Sequence, residues 1–211
     1  MKFRIIAIIC FTCGVYASSS GESCDIPLTL THVRFPERNE LLSLQYFENN
    51  VIGTGLGQVY LALPVDPPFI PDSNFQCTIT KLGENLYWRS CTGGQAPQCF
   101  QLNISLSTEP GTDSAMFTYV SGSGSNITEA YWSRCPTKFI WRIRCTNYAG
   151  NTECPPSNTW LSFFLRDSIT PSTVPLNDIA EDLWITTGVK FGLVDGLEWY
   201  FIGLEDEPCQ V

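Results

Sequence analysis

Histidine is almost missing from this chain: His32 is the single one in 211 residues. A Ser-His-Asp relay would have to be built around that one position just past the N-terminus, so His32 reads instead as an ordinary residue in or beside the first strand. Imidazole-based zinc coordination is equally unsupported, because no Cys-x-x-Cys pair follows residue 17. No catalytic residue, metal or cofactor is expected. Basic residues are scarce as well, 12 Lys and Arg against 21 Asp and Glu, a formal charge of −9. Phosphate backbones are gripped by clustered Lys and Arg, whereas Asp167–Val211 holds nine acids and Lys190 as its only base. A nucleic-acid role is excluded on this ground. Long apolar runs are also lacking: beyond the N-terminal segment nothing approaches the roughly 20 apolar residues that span a bilayer. Helix-type periodicity is rare throughout.

Two further absences concern chemistry. The acids fall in adjacent runs, Glu181-Asp182 and Glu205-Asp206-Glu207, whereas glycosidase carboxylates are held apart across a cleft. Gly53-Thr54-Gly55-Leu56-Gly57 has the glycines of a phosphate loop, but strand-like alternation over Gln58–Leu63 follows it where a helix should begin. A turn or bulge entering a strand is the expected structure.

What the chain does have begins at its N-terminus. Lys2 and Arg4 precede an apolar run, Ile5–Tyr16, and Val15 and Ala17 satisfy the small-residue rule for signal-peptidase cleavage. Residues 1–17 therefore read as a signal peptide and residues 18–211 as one secreted, extracellular domain. Ten basic residues then remain against 21 acids, a formal charge of −11. Eight cysteines remain too: Cys24, Cys77, Cys91, Cys99, Cys135, Cys145, Cys154 and Cys209. An even number in an oxidising compartment implies disulfides, with pairing left open. At about 2–4 kcal/mol per bridge, such a framework rivals the net stability of an ordinary domain.

Strand signals dominate. In Lys138–Thr146, Phe139, Trp141, Ile143 and Cys145 alternate with Ile140, Arg142, Arg144 and Thr146, which predicts one core face and one partly solvated face. Gln101–Leu106 alternates likewise and sets Asn103, the first residue of an Asn-Ile-Ser sequon, on the solvent side. Further strands are expected at 41–47, 58–63, 75–80, 115–120, 160–166, 183–187, 189–194 and 198–204. Short helices are expected over 128–132, behind a second sequon at Asn126, and over 177–183. Neither exceeds two turns. The pattern predicts an all-β fold, a disulfide-stabilised antiparallel β-sandwich of two sheets. Glu198-Trp199-Tyr200-Phe201 cannot bury every ring on one face of a strand, so an aromatic beside acids should face outward.

Several segments resemble a known family. Gly57–Leu63, Cys77–Gly83, Cys99 with Leu102-Asn103-Ile104-Ser105, Met116–Val120, a short helix before Cys135, Phe139–Cys145 and a late Cys209 resemble, in order, the secreted immune-evasion domain of poxviruses. That family contains chemokine-binding proteins and inhibitors of cytokines such as granulocyte-macrophage colony-stimulating factor and interleukin-2. The resemblance implies a β-sandwich decoy that sequesters a host chemokine or cytokine. The acidic clusters Glu181, Asp182, Glu205, Asp206 and Glu207 are expected to form its electrostatic surface, with Trp199 or Tyr200 as anchors. Chemokines are basic, so the acidic charge would speed encounter. A homo-oligomer is compatible with this reading. A second resemblance links Trp160–Arg166 and Asn177–Trp184 to the last strands of avidin-type biotin binders, with Gly192 where that family places a ureido-binding Asn. It implies a β-barrel around a small ligand.

Overall fold

The computed structural model describes residues 33–52, 58–62, 76–95, 98–150, 153–165, 175–189 and 198–201. In chain order they form β1 (Val33–Arg34), α1 (Leu44–Asn50), β2 (Gln58–Ala62), β3 (Gln76–Lys81), β4 (Leu86–Gln95), β5 (Gln98–Ser107), β6 (Met116–Val120), β7 (Asn126–Trp132), β8 (Phe139–Thr146), β9 (Glu153–Cys154), a 3-10 turn (Pro156–Asn158), β10 (Thr159–Leu165), α2 (Leu176–Thr187) and β11 (Glu198–Phe201). The fold is all-β with two helices, antiparallel and disulfide-stabilised. Its two sheets are very unequal. One has nine strands in the order β11-β2-β10-β8-β7-β6-β5-β4-β3, and the other is the β1–β9 pair.

From β3 to β8 the large sheet is a meander of consecutive strands, the order that short hairpins dictate. The sheet curls into a half-barrel, and its contacts show how tightly. Tyr87 on β4 and Phe117 on β6 are two strands apart, about 10 Å in a flat sheet, yet their ring centroids meet at 5.2 Å. Arg89 on β4 reaches Glu129 on β7, three strands away, at 2.6 Å. Between β5 and β6 the ladder shrinks to the single pair Ser107↔Thr118, so the bend concentrates there.

Each face carries its own core. On the convex side Trp141, Ile143, Leu161 and Phe163 pack against Ile179 and Leu183 of α2 and Val33 of β1. Trp141 also donates its indole N–H to the Ile179 carbonyl at 3.2 Å. On the concave side Tyr87, Leu106, Phe117, Tyr131, Ile140 and Phe164 enclose Phe47 of α1. The helices and the small sheet thus supply the covering layers that a second large sheet was expected to supply.

Several local expectations are corrected. Residues 41–47 form a single bridge, Leu41↔Trp132, and then enter α1, because the Ser43 side chain caps the helix by accepting the Tyr46 N–H at 3.1 Å. The helix expected over 128–132 is strand β7, paired on both edges by β6 and β8. Every residue from Ile127 to Trp132 is buried, which erases the alternation that marks a strand. α2 absorbs the strand expected at 183–187 and runs three turns, closed by Gly188 at φ +77°. Of the strand expected at 189–194, only Val189 lies among the described residues.

Cys77 pairs with Cys91 and Cys145 with Cys154, and Cys99 is disulfide-bonded as well. Cys135 corrects the expectation: it carries a free thiol, half-buried against the convex core. Every other described cysteine is already committed. Cys24, Cys209, His32, the signal segment and the Gly53–Gly57 turn lie outside the described residues.

Candidate ligand-binding site

Strand pleating sends alternate residues to opposite faces, so the partners of the apolar row on β8 must point into the concavity. Those partners are Ile140, Arg142 and Arg144. This corrects the expectation of a partly solvated face, because Arg142 is buried there and Arg144 half-buried. Curling converts what would be the wet side of a flat sheet into an interior. Arg89 arrives from the facing wall on β4, flanked by inward Tyr87 and Cys91.

Glu129 on β7 is the hub. Arg89 Nη1 donates to both of its carboxylate oxygens, at 2.6 and 2.7 Å, with the two side chains 2% and 0% exposed. The Tyr131 hydroxyl donates to Oε1, and Arg144 Nε stands 3.7 Å from Oε2. Burial opposes ionisation of Glu129, but Arg89, Arg142 and Arg144 outweigh it and bring its carboxyl down to about 2. The same burial, with the neighbouring carboxylate, pushes the Tyr131 phenol well above its ordinary value. The network is therefore an ionised carboxylate under guanidinium control across all ordinary pH.

Aromatic rings frame these charges. The Arg89 guanidinium lies 5.3 Å from the Tyr119 ring, that of Arg144 lies 5.8 Å from the same ring and 5.9 Å from Trp160, and that of Arg142 lies 5.1 Å from Phe164. Arg142 Nε also donates to Ser162 Oγ at 2.9 Å. Below this layer α1 closes one end, with Phe47 packed 4.6 Å from Tyr131 and 5.0 Å from Phe117 between ring centroids. The concave face is thus floored by aromatic side chains and lined above them by polar groups. No cluster able to hold a metal ion occurs among the described residues.

The residues predicted from sequence stand elsewhere. Glu181 is exposed on α2, 3.9 Å from Arg134. Asp182, expected on the acidic surface, turns inward and is 2% exposed. It accepts the Arg134 backbone N–H at 3.0 Å and the Thr186 hydroxyl at 3.3 Å, pinning the β7–β8 turn to α2, and burial raises its carboxyl above the usual range. Trp199 and Tyr200 lie on edge strand β11, in register with Leu61 and Tyr60. Glu205, Asp206 and Glu207 are outside the described residues. The structure places Glu181 and Asp182 on α2 in the convex layer and Trp199 and Tyr200 on β11 at the sheet edge. Asn103 and Asn126 are both exposed.

Arg89, Glu129, Arg142 and Arg144 were not singled out by the sequence reading. For Arg142, Arg144 and Glu129 the signal was charge within otherwise bulky strands, Phe139–Cys145 and Ile127–Trp132; Arg89, in Leu86–Gln95, had none.

No protein-family model matches the sequence, and no curated protein matches it. Among solved structures, lobster apocrustacyanin A1 is similar at 8% identity over 83% of this chain and 92% of its own, with a TM-score of 0.47. Apocrustacyanin C2 is similar at 11% identity over 85% and 94%, with a TM-score of 0.48.

Proposed function

We propose that this chain is a secreted binding protein that holds a small organic molecule against the concave face of its half-barrel. One observation carries the reading: a buried, hydrogen-bonded polar network, Arg89–Glu129–Tyr131 with Arg142 and Arg144, sits on the inner wall of a curled sheet among aromatic rings. Burying charge costs several kcal/mol per ion in desolvation, and an apolar core would serve stability as well. A few convergent polar groups on a mostly apolar concave wall are the composition of a small-ligand site. This agrees with the small-ligand alternative implied by the avidin resemblance, without requiring biotin.

Titration with the neutral dye N-phenyl-1-naphthylamine tests it. Saturable, one-to-one fluorescence enhancement that vanishes on unfolding is expected. Enhancement that grows without saturation, or none, sinks the reading. A thermal shift with biotin checks the narrower form.

A second reading keeps the host chemokine or cytokine as partner, and α2 is the feature that favours it. Trp184 and Ile185 are 51% and 50% exposed beside Glu181, an apolar and acidic combination suited to a basic protein. A pull-down from stimulated leukocyte medium decides this: a captured chemokine or cytokine lost on Trp184→Ala supports it, and an empty pull-down removes it.

A further inference from the structure

Resting on the small-ligand reading, we infer that the Tyr119 hydroxyl and the Arg144 guanidinium form a recognition site for the anionic head of that molecule, an organic monoacid with an apolar body. Both groups face the concavity, and Tyr119 is 7% exposed. Neither Tyr119 Oη nor Arg144 Nε has a hydrogen-bond partner among the described residues, although both atoms are buried. An unsatisfied buried donor is costly, and a charged one more so. Two of them, on side chains that touch each other, point to a ligand that accepts from both.

Charge selects the kind of acceptor. Glu129 is the one described carboxylate within ion-pairing distance of Arg89 or Arg144. Its oxygens already receive two short bonds from Arg89 and one from Tyr131, leaving Arg144 at 3.7 Å. Arg89 and Arg144 thus share one carboxylate, with Arg142 a further positive charge acting on it, so the wall carries an excess of positive charge that an added negative charge reduces. A cationic ligand would meet guanidinium groups on both walls. A neutral carbonyl would satisfy a donor but leave the charge. A carboxylate does both, since guanidinium and phenol are its ordinary donors.

Geometry sets the orientation. Arg144 is 27% exposed while Tyr119 and Glu129 are nearly sealed, so the site opens past Arg144. The Trp160 ring on the far side of Arg144 offers an apolar surface to the ligand's body.

Displacement of N-phenyl-1-naphthylamine by three ligands with one tail, decanoate, decanol and decylamine, tests the inference at pH 7.4. Decanoate should bind at least about tenfold more tightly than decanol, the gain of one charge-assisted hydrogen bond, and decylamine most weakly. Arg144→Met should abolish the decanoate preference and Tyr119→Phe should reduce it, each read as the ratio of decanoate to decanol affinity within that variant. Equal affinity for all three, or a preference for decylamine, overturns the anion site while the small-ligand reading stands. Failure of the dye and all three ligands to bind overturns both. The wild-type comparison decides even where a variant does not fold.

Discussion

Glu129 shows at a single residue how this interior is held. Its carboxylate is buried, ionised and bonded from two directions, by Arg89 and by Tyr131. Removing one partner of such a pair strands the other, which costs about 3–5 kcal/mol. Glu129→Gln and Arg89→Met should each lower unfolding stability in urea by that amount, and the double variant by clearly less than the sum. Linkage gives the pH dependence. The folded-state value lies at about 2, below the ordinary 4.5, so the stabilisation is fully present above pH 4.5 and is lost as the pH falls from there towards 2. Unfolding curves taken across that window should fall steeply for the wild type and much less for Glu129→Gln. Asp182 has the opposite sign, since burial raises its carboxyl. Its contribution is present below the ordinary value of 3.8 and is lost as the pH rises through the folded-state value, so Asp182→Asn should remove a slope of the contrary direction.

Among the elements, α1 has the clearest mechanical role. Leu42 N–H bonds to the Tyr131 carbonyl, Ala115 N–H to the Leu42 carbonyl and Tyr131 N–H to the Ala115 carbonyl, a closed ring of 2.8–3.0 Å bonds that fixes the segment leading into the helix. Phe47 then fills the end of the concavity. Phe47→Ala should cost about 3–5 kcal/mol in denaturant unfolding, against about 1 for the cap change Ser43→Ala. A small loss for Phe47→Ala would mean that α1 merely rests on the sheet. The same elements mark where the sequence was readable. β5 and β8 were legible because apolar and polar residues alternate along them, and β6 and β10 because they are short runs of bulky residues set off by turn-formers. β4 was not, because its inward row includes Arg89 and Gly93 where a strand template expects apolar side chains. β7 was misread because burial on both faces removed its polar phase, and Glu129, the hub of the candidate site, was hidden in that run. α2 was placed in part: its N-terminal half was expected, but Trp184-Ile185-Thr186-Thr187 is β-branched and aromatic, and packing on Trp141 overrode that local preference.

At the scale of the whole molecule, the sequence carried the all-β class and the disulfides, but curvature arises from long-range contacts that no local pattern encodes. The two defined bridges divide the labour. Cys145–Cys154 joins the end of β8 to β9 and so ties the small sheet, through β1, to the large one. Cys77–Cys91 crosses directly between paired positions of β3 and β4, the outer wall from which Arg89 reaches inward. Loop closures of this size are each worth about 2–3 kcal/mol, so the Cys145→Ser/Cys154→Ser and Cys77→Ser/Cys91→Ser variants should lose similar stability. Their effects on binding should differ. Loss of the first bridge loosens the convex cover and leaves the Arg89–Glu129 contact in place, so dye affinity should persist. Loss of the second frees the edge of the wall that presents Arg89, two residues from Cys91, and dye affinity should fall with stability. Equal retention in both variants would show that the curl is held by the aromatic contacts of Tyr87, Phe117 and Tyr131 alone, and that β3 contributes nothing to the site.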